Sequence, residues 1–464
     1  MQIDPQRRGK LPEVGAPEPF TCQATSVRGW RLRIPGGRPL ATPAIVDGRV
    51  FLGGGFGSYE FYCLEAQTGR LLWQYQTSDD GPTAAVVEDG HVVFNTESCE
   101  LEVLTMEGKS VWKRWLGDPL MSMPAIGNGR VFMVYPDSHG DGEHYLACFE
   151  LHSGQPVWRT RIDGEVITAP VLSDRDVFFT TLEGTLHCCG QETGELLWRE
   201  AACATSSPAV HNGQCYFSQR REVPSDAGSE GIQQTEHCSR RANTTHGPTH
   251  VFSQTSRQAD YLDHTKRQSQ SPRYAAYQAY DAGVGFAASK GSAKMHQAMR
   301  NLGHGHVSSV WAYQGSKPFV AAGRLFSALG DTVCCVEMES GEVLWKRDLH
   351  AGKTGGPLLD SVITPPALVN GKAFVCTFAG DVFALNAESG DIVWRASVGE
   401  PIEFQPAVAG GRVYIPTRSG SLYCLETENA ADDGWLMWGA TPAHNGLDNP
   451  GVSCCVTADS VTPC

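Results

Sequence analysis

Short runs of β-branched and aromatic residues, such as Arg49-Val50-Phe51 and Arg412-Val413-Tyr414-Ile415, recur along the chain between glycine-bearing turns. This pattern predicts short strands. The unit Pro43–Gly55, PAIVDGRVFLGGG, returns in its first half as AVVEDGHVVF (85–94), PAIGNGRVFM (124–133), PVLSDRDVFF (170–179) and PAVHNGQCYF (208–217). Three more copies follow as PFVAAGRLFS (318–327), PALVNGKAFV (366–375) and PAVAGGRVYI (406–415), making eight. With Gly48 as marker, the equivalents are Gly90, Gly129, Arg175, Gly213, Gly323, Gly371 and Gly411, at steps of 42, 39, 46, 38, 110, 48 and 40 residues. A period near forty is the size of one four-stranded propeller blade.

The second half of the unit carries Gly-x-x-x-Trp, placing Trp73, Trp112, Trp158, Trp198, Trp345, Trp394 and Trp438 at one repeated position. A Ser/Thr-Gly turn supplies positive φ, and the strand after it delivers an indole to a fixed place. A large flat ring there can seal each blade against its neighbour. One blade cannot bury both faces, whereas a ring of blades can, and closure protects sheet edges. The expected fold is therefore an all-β, eight-bladed propeller over residues 29–438, with seven blades as the runner-up. The segment GWRLRIPGG (29–37) has no blade before it and is expected to latch the ring through the strand of Trp30. Trp438 competes for that role.

The motifs LEAQTGRLLW, CGQETGELLW, VEMESGEVLW and LNAESGDIVW resemble the repeat of the pyrroloquinoline quinone (PQQ) dehydrogenase family. The resemblance covers about Gly29–Trp438 outside one insertion. It implies the fold more than the chemistry, since non-enzymatic propellers share it, an outer-membrane assembly lipoprotein among them. For an enzyme it would imply an Asp base beside PQQ and a calcium ion, or a transition metal. Glu97, in FNTESCE (94–100), Asp331 and Glu403 are the candidates, none tied to the ring axis by a local signature. Asn95, Thr96, Glu97 and Ser98 interrupt an apolar strand end, as residues that cap a strand or line a channel do.

The 110-residue step holds an insertion in blade five, about 220–315, where Gly-x-x-x-Trp is missing unless Trp311 replaces it. To about Gln258 it is rich in Ser, Thr, Gln and Gly and reads as loop; 261–280 and 292–302 have helical character. Residues 220–300 hold 11 Lys/Arg against 7 Asp/Glu, in a chain whose formal charge is −14. The acidic balance argues against general nucleic-acid binding. A module of this length suits a ligand or partner on one ring face. Seven of the fifteen histidines lie here, and His237, Cys238, His246, His250, His304 and His306 are the candidate ligands for a transition metal. Against it, Pro248 breaks any helix joining His246 to His250.

Cys63, Cys148, Cys188 and Cys335 each stand six residues before the turn glycine and fill the small-residue slot of an inner strand, so the vicinal pairs Cys188-Cys189 and Cys334-Cys335 read as structural thiols. Residues 1–28 are expected to form an N-terminal extension and 439–464 a tail bearing Cys454, Cys455 and Cys464. The short box WGATPAHNG (438–446) joins ring to tail. No apolar run of signal or membrane-spanning length occurs, which favours the cytoplasm, or the periplasm if the start is a processed one. No nucleophile elbow, phosphate loop or HExxH motif is present. The expectation is a non-catalytic scaffold or ligand-binding propeller with a protein or peptide on one face. A quinone- or metal-dependent oxidoreductase and a peptide-recognising subunit of a modification or transport machine are the alternatives.

Overall fold

The computed structural model describes residues 11–117, 122–136, 143–164, 166, 169–173, 175–181, 184–202, 204, 207–223, 232–241, 250–257, 317–329, 332–349 and 363–441. These form eight antiparallel sheets and no helix. Blade 1 is typical: Ala44–Val46, Arg49–Gly53, Glu60–Glu65 and Leu71–Gln76, paired in chain order. The short first strands of blades 1, 2, 3 and 4 lie side by side, and that of blade 8, Ala407–Ala409, lies against that of blade 1. The sheets therefore radiate from a common axis and the ring is closed. The core is largely what neighbouring blades bury between them, as where Phe61 of blade 1 stacks on Phe94 of blade 2 at 4.2 Å.

In blades 1, 2, 3, 5 and 7 the first turn is a two-residue hairpin with both central residues at positive φ: Asp47-Gly48, Asp89-Gly90, Asn128-Gly129, Asn212-Gly213, Asn370-Gly371. This backbone matches the right-handed twist of the flanking strands, which is why Asn/Asp-Gly recurs there. The turn between the third and fourth strands carries the motif glycine and a register shift, which in five blades sets the outer-strand tryptophan opposite a small third-strand residue, while Trp112 of blade 2 faces Val103. Trp73 pairs with Cys63, Trp158 with Cys148, Trp198 with Cys188, Trp345 with Cys335 and Trp394 with Ala384. The cysteine slot thus lies on the third strand from the axis rather than on an inner one.

Trp30 supplies the missing member. Its strand, Arg28–Arg33, pairs with Ser421–Glu426 of blade 8 and sets Trp30 opposite Cys424. Glu18–Thr21, expected within an N-terminal extension, adds a fifth strand outside it. The outer strand that latches the last blade is that of Trp30, and Trp438 does not stand in its place.

Blade five corrects the reading of its segment to Gln258 as loop. Its strands are Ala209–His211, Gln214–Val223, Ile232–Arg241 and His250–Arg257, and the second and third, at ten residues each, outrun their counterparts. Backbone pairing from Gln214↔Arg241 to Val223↔Ile232 is unbroken, so polar composition does not prevent a hairpin whose ladder is complete. Residues 261–280 and 292–302, expected to be helical, lie outside the described residues, as do Trp311 and the tail from 442.

Candidate functional site

Each connection between blades brings the chain to one face of the ring, here the entry face, where it turns into the next first strand. The residue six positions before the hairpin glycine sits at that turn: Thr42, Ala84, Met123, Ala169, Ser207, Lys317, Pro365 and Gln405 around the axis. Those at Thr42, Ser207, Lys317 and Gln405 are buried. Blades are stitched together here by side chain to backbone bonds. Thr42 Oγ1 donates to the Gln405 carbonyl at 2.8 Å, Gln405 Nε2 to the Pro366 carbonyl at 2.8 Å, and Ser207 Oγ to the Ala169 carbonyl at 2.9 Å.

The axis itself is filled by the chain's own C-terminal segment. From Asp432, held by two 2.8 Å bonds from Lys372 Nζ, the chain runs inward between blades 8 and 1. Trp435 exchanges backbone bonds of 2.7 and 3.1 Å with Val408, and the Leu436 carbonyl accepts from Ile45 N at 2.8 Å. One short segment thus joins the first strands of the last and first blades, an inner closure alongside the outer latch. A tight turn from Met437 to Ala440 follows, with Gly439 and Ala440 both at φ +89 and Gly439 N bonded to Gln405 Oε1 at 3.4 Å. Trp435, Met437, Trp438 and Ala440 are buried. Trp438 is therefore an axial residue, unlike the six blade tryptophans grouped with it by spacing, and the WGA of the terminal box is the plug of the channel.

Lys317 stands apart at this site. Its side chain is 1% exposed, its Nζ has no hydrogen-bond partner among the described residues, and it lies 5.5 Å from the Phe319 ring and 5.3 Å from that of Trp438. Burial alone pushes the amine down to about 7. Aligning the eight copies would have shown one lysine in a column of uncharged residues; the motif search fixed on glycine and tryptophan and passed over it.

The carboxylate candidates are spread around the entry face. Glu97 packs on Gly81 in the loop between the second and third strands of blade 2. Next to it, Asp79 accepts from Thr96 Oγ1 at 2.5 Å and from Ser98 N and Oγ at 2.8 and 2.9 Å. Burial and the Asp79 charge raise Asp80, which is hydrogen-bonded to Glu97. Asn95 Nδ2 donates to the Ser122 carbonyl at 2.8 Å. The polar run 95–98 thus ties loops together at the strand end. Glu403 is paired with Arg418 at 2.9 Å, in blade 8, two blades round the ring from Glu97. Asp331 lies outside the described residues.

Of the candidate metal ligands, His237 and Cys238 are on the third strand of blade five and His250 begins its outer strand. Cys238 is buried in the seam between blades 4 and 5, and desolvation pushes its thiol up to about 12, away from the thiolate a metal needs. His246, His304 and His306 lie outside the described residues. Among the described residues no three His, Cys, Asp or Glu side chains come together as a metal site. The quinone and calcium implied by the dehydrogenase resemblance do not fit the described axis, because Trp435, Met437 and Trp438 fill it and Glu97 and Glu403 are apart and engaged.

Fold and site together define a closed eight-bladed propeller of PQQ-like repeats whose axis is plugged from within. A family model described as outer membrane protein assembly factor BamB matches residues 22–113, 103–223 and 353–441, more than half of the chain, and the chain belongs to that family. Among its relatives, the outer membrane protein assembly factor BamB of Escherichia coli K12 is 31% identical over 108 residues, 23% of this chain and 26% of that protein. The Burkholderia pseudomallei protein of the same name is 24% identical over 226 residues, 38% of this chain and 58% of the relative. These matches span from about a quarter to under two thirds of the relatives' length. The crystal structure of BamB from Moraxella catarrhalis is similar at TM-score 0.51 and 15% identity, covering 85% of this chain and 98% of that one. A quinohemoprotein alcohol dehydrogenase from Pseudomonas putida HK5 is similar at TM-score 0.51 and 12% identity, covering 87% and 76%, a likeness of fold alone.

Proposed function

We propose that this chain is a non-catalytic propeller that binds protein partners and serves, like the relatives named above, in outer membrane protein assembly. The observation that carries the reading is the combination of family membership with an axis filled by the chain's own Trp435–Ala440. A propeller whose channel holds its own side chains offers rims and loops to a partner in place of a reaction chamber. The names of the relatives favour the cell envelope, and so the periplasmic alternative over the cytoplasmic one. No helix among the described residues is long and apolar enough to cross a membrane.

The partner surface is assigned to the entry face around blade 2. Trp115 ends the outer strand Ser110–Trp115 at that rim with half its surface exposed, beside the acidic loops of Asp79, Asp80 and Glu97. Exposed tryptophans ringed by polar groups are the residues that dominate protein interfaces. Residues 258–316, which connect blade five to blade six in the sequence, are the second proposed contact. The test is photo-crosslinking from position 115, with capture of the outer-membrane assembly machinery from a bacterial envelope extract. Trp115→Ala should lower capture at least tenfold, given that interface tryptophans contribute about 2 kcal/mol or more, with the melting temperature unchanged. A deletion confined to 258–316 avoids the strands of blade five. Wild-type protein that captures nothing would overturn the reading.

A further inference from the structure

We infer that Lys317, at the axial turn into blade six, is the receptor for a small carboxylate with a compact apolar body. The position is the same strand-entry turn that carries Thr42, Ala84, Met123, Ala169, Ser207, Pro365 and Gln405 in the other blades, none of them charged. Thr42, Ser207 and Gln405 all spend their donors on neighbouring carbonyls. Among these turn residues Lys317 has a buried amine with no partner among the described residues.

A structural purpose does not explain it. The rings of Phe319 and Trp438, at 5.5 and 5.3 Å, attract an ammonium by about 2 kcal/mol when desolvated. Desolvating an ammonium costs several kcal/mol, so a methionine would serve the packing better. No charged group among the described residues acts on this amine, since burial is the one cause of its lowered pKa. The compensating charge is therefore assigned to a ligand. A phosphate or sulfate needs several donors, and the site supplies one charged donor. A carboxylate needs one such donor, and aromatic walls suit an apolar body behind it.

This inference does not rest on the assembly reading, and partner capture plays no part in its test. Benzoate, propionate, benzamide and inorganic phosphate are titrated into the full-length protein by calorimetry and by fluorescence of the axial tryptophans. Benzoate or propionate should bind and raise the melting temperature, while benzamide and phosphate should not. Lys317→Met should bind the carboxylates at least about tenfold more weakly, the scale of one lost charge-assisted hydrogen bond. In wild-type protein labelled with 15N-lysine, benzoate should raise the titration midpoint of the Lys317 amine, a readout that needs no variant. Carboxylates that bind Lys317→Met as well as wild type, or that leave the amine's titration unmoved, overturn the proposal. Binding of phosphate in their place overturns the assigned ligand class.

Discussion

The indole of Trp73 in blade 1 lies flat against Gly108 in blade 2 and donates its Nε1 hydrogen to the Met106 carbonyl at 2.9 Å. The same contact joins Trp30 to Gly69, Trp112 to Gly154, Trp158 to Gly194 and Trp345 to Gly390, each indole bonded to a carbonyl of the next blade. The turn glycine is thus needed twice, for its φ of +79 and because a Cβ there would come within 2.7 Å of the ring. Gly108→Ala should cost about 2–4 kcal/mol, combining left-handed strain with a displaced indole. Denaturant unfolding measures it, and a loss below 0.5 kcal/mol would show that the seam is not rigid.

Where the pattern fails, a different contact fills the gap. Blade five lacks the Gly-x-x-x-Trp motif, and the Arg240 guanidinium covers the Trp198 ring at 3.7 Å while pairing with Glu200. Arg240 is buried, so Arg240→Ala removes a cation–π contact and the ion pair with Glu200. The expected cost is about 2–4 kcal/mol, with Arg240→Lys recovering part of it. Equal stability of wild type and Arg240→Ala would refute the role.

Glu102 makes stability depend on pH. Its carboxyl is buried between blades 1 and 2, accepts from Tyr75 Oη at 2.8 Å, and is raised to about 7, chiefly by desolvation. A folded state that holds this proton above the ordinary value of 4.5 is favoured at low pH. That contribution is complete below pH 4.5 and fades as pH rises through about 7, for a loss on the order of 3 kcal/mol. Glu102→Gln should flatten the fall between pH 5 and 8 in equilibrium unfolding. An unchanged slope would place the titration elsewhere.

Lys317 acts in the opposite sense. Its folded value, lowered to about 7 from 10.5, means the unfolded chain binds the proton more tightly, so stability from this group rises between pH 7 and 10.5. Lys317→Met should be more stable than wild type at pH 7 without ligand, and the difference should shrink toward pH 10. A variant less stable than wild type at pH 7 would contradict the uncompensated burial.

Asp432 anchors the segment that closes the axis. It is fully buried and takes three bonds, two from Lys372 and one of 2.9 Å from Asn370. Asp432→Ala should cost about 2–4 kcal/mol and release the axial tryptophans to water, seen as a red shift in their emission. Emission that stays blue would mean the plug holds without its anchor.

Period, hairpin glycines and repeated tryptophans were enough to read eight blades and a latch by Trp30, because these depend on local φ and on one strand's alternation. The entry-face ring, the plug and the blade-five strands were not readable in that way. Trp438 shares the Gly-x-x-x-Trp spacing of Trp394, yet one lies on the axis and the other on a blade's outer strand, since spacing says nothing of which way the chain turns after Asp432. The stretch from Arg220 to about Gln258 looks like loop by composition, while its strands are held by a backbone ladder that any composition can make. Lys317 is an ordinary lysine in the sequence. Only closure of the ring, which brings blade six against the returning C-terminal segment, strips it of water and gives it a chemistry.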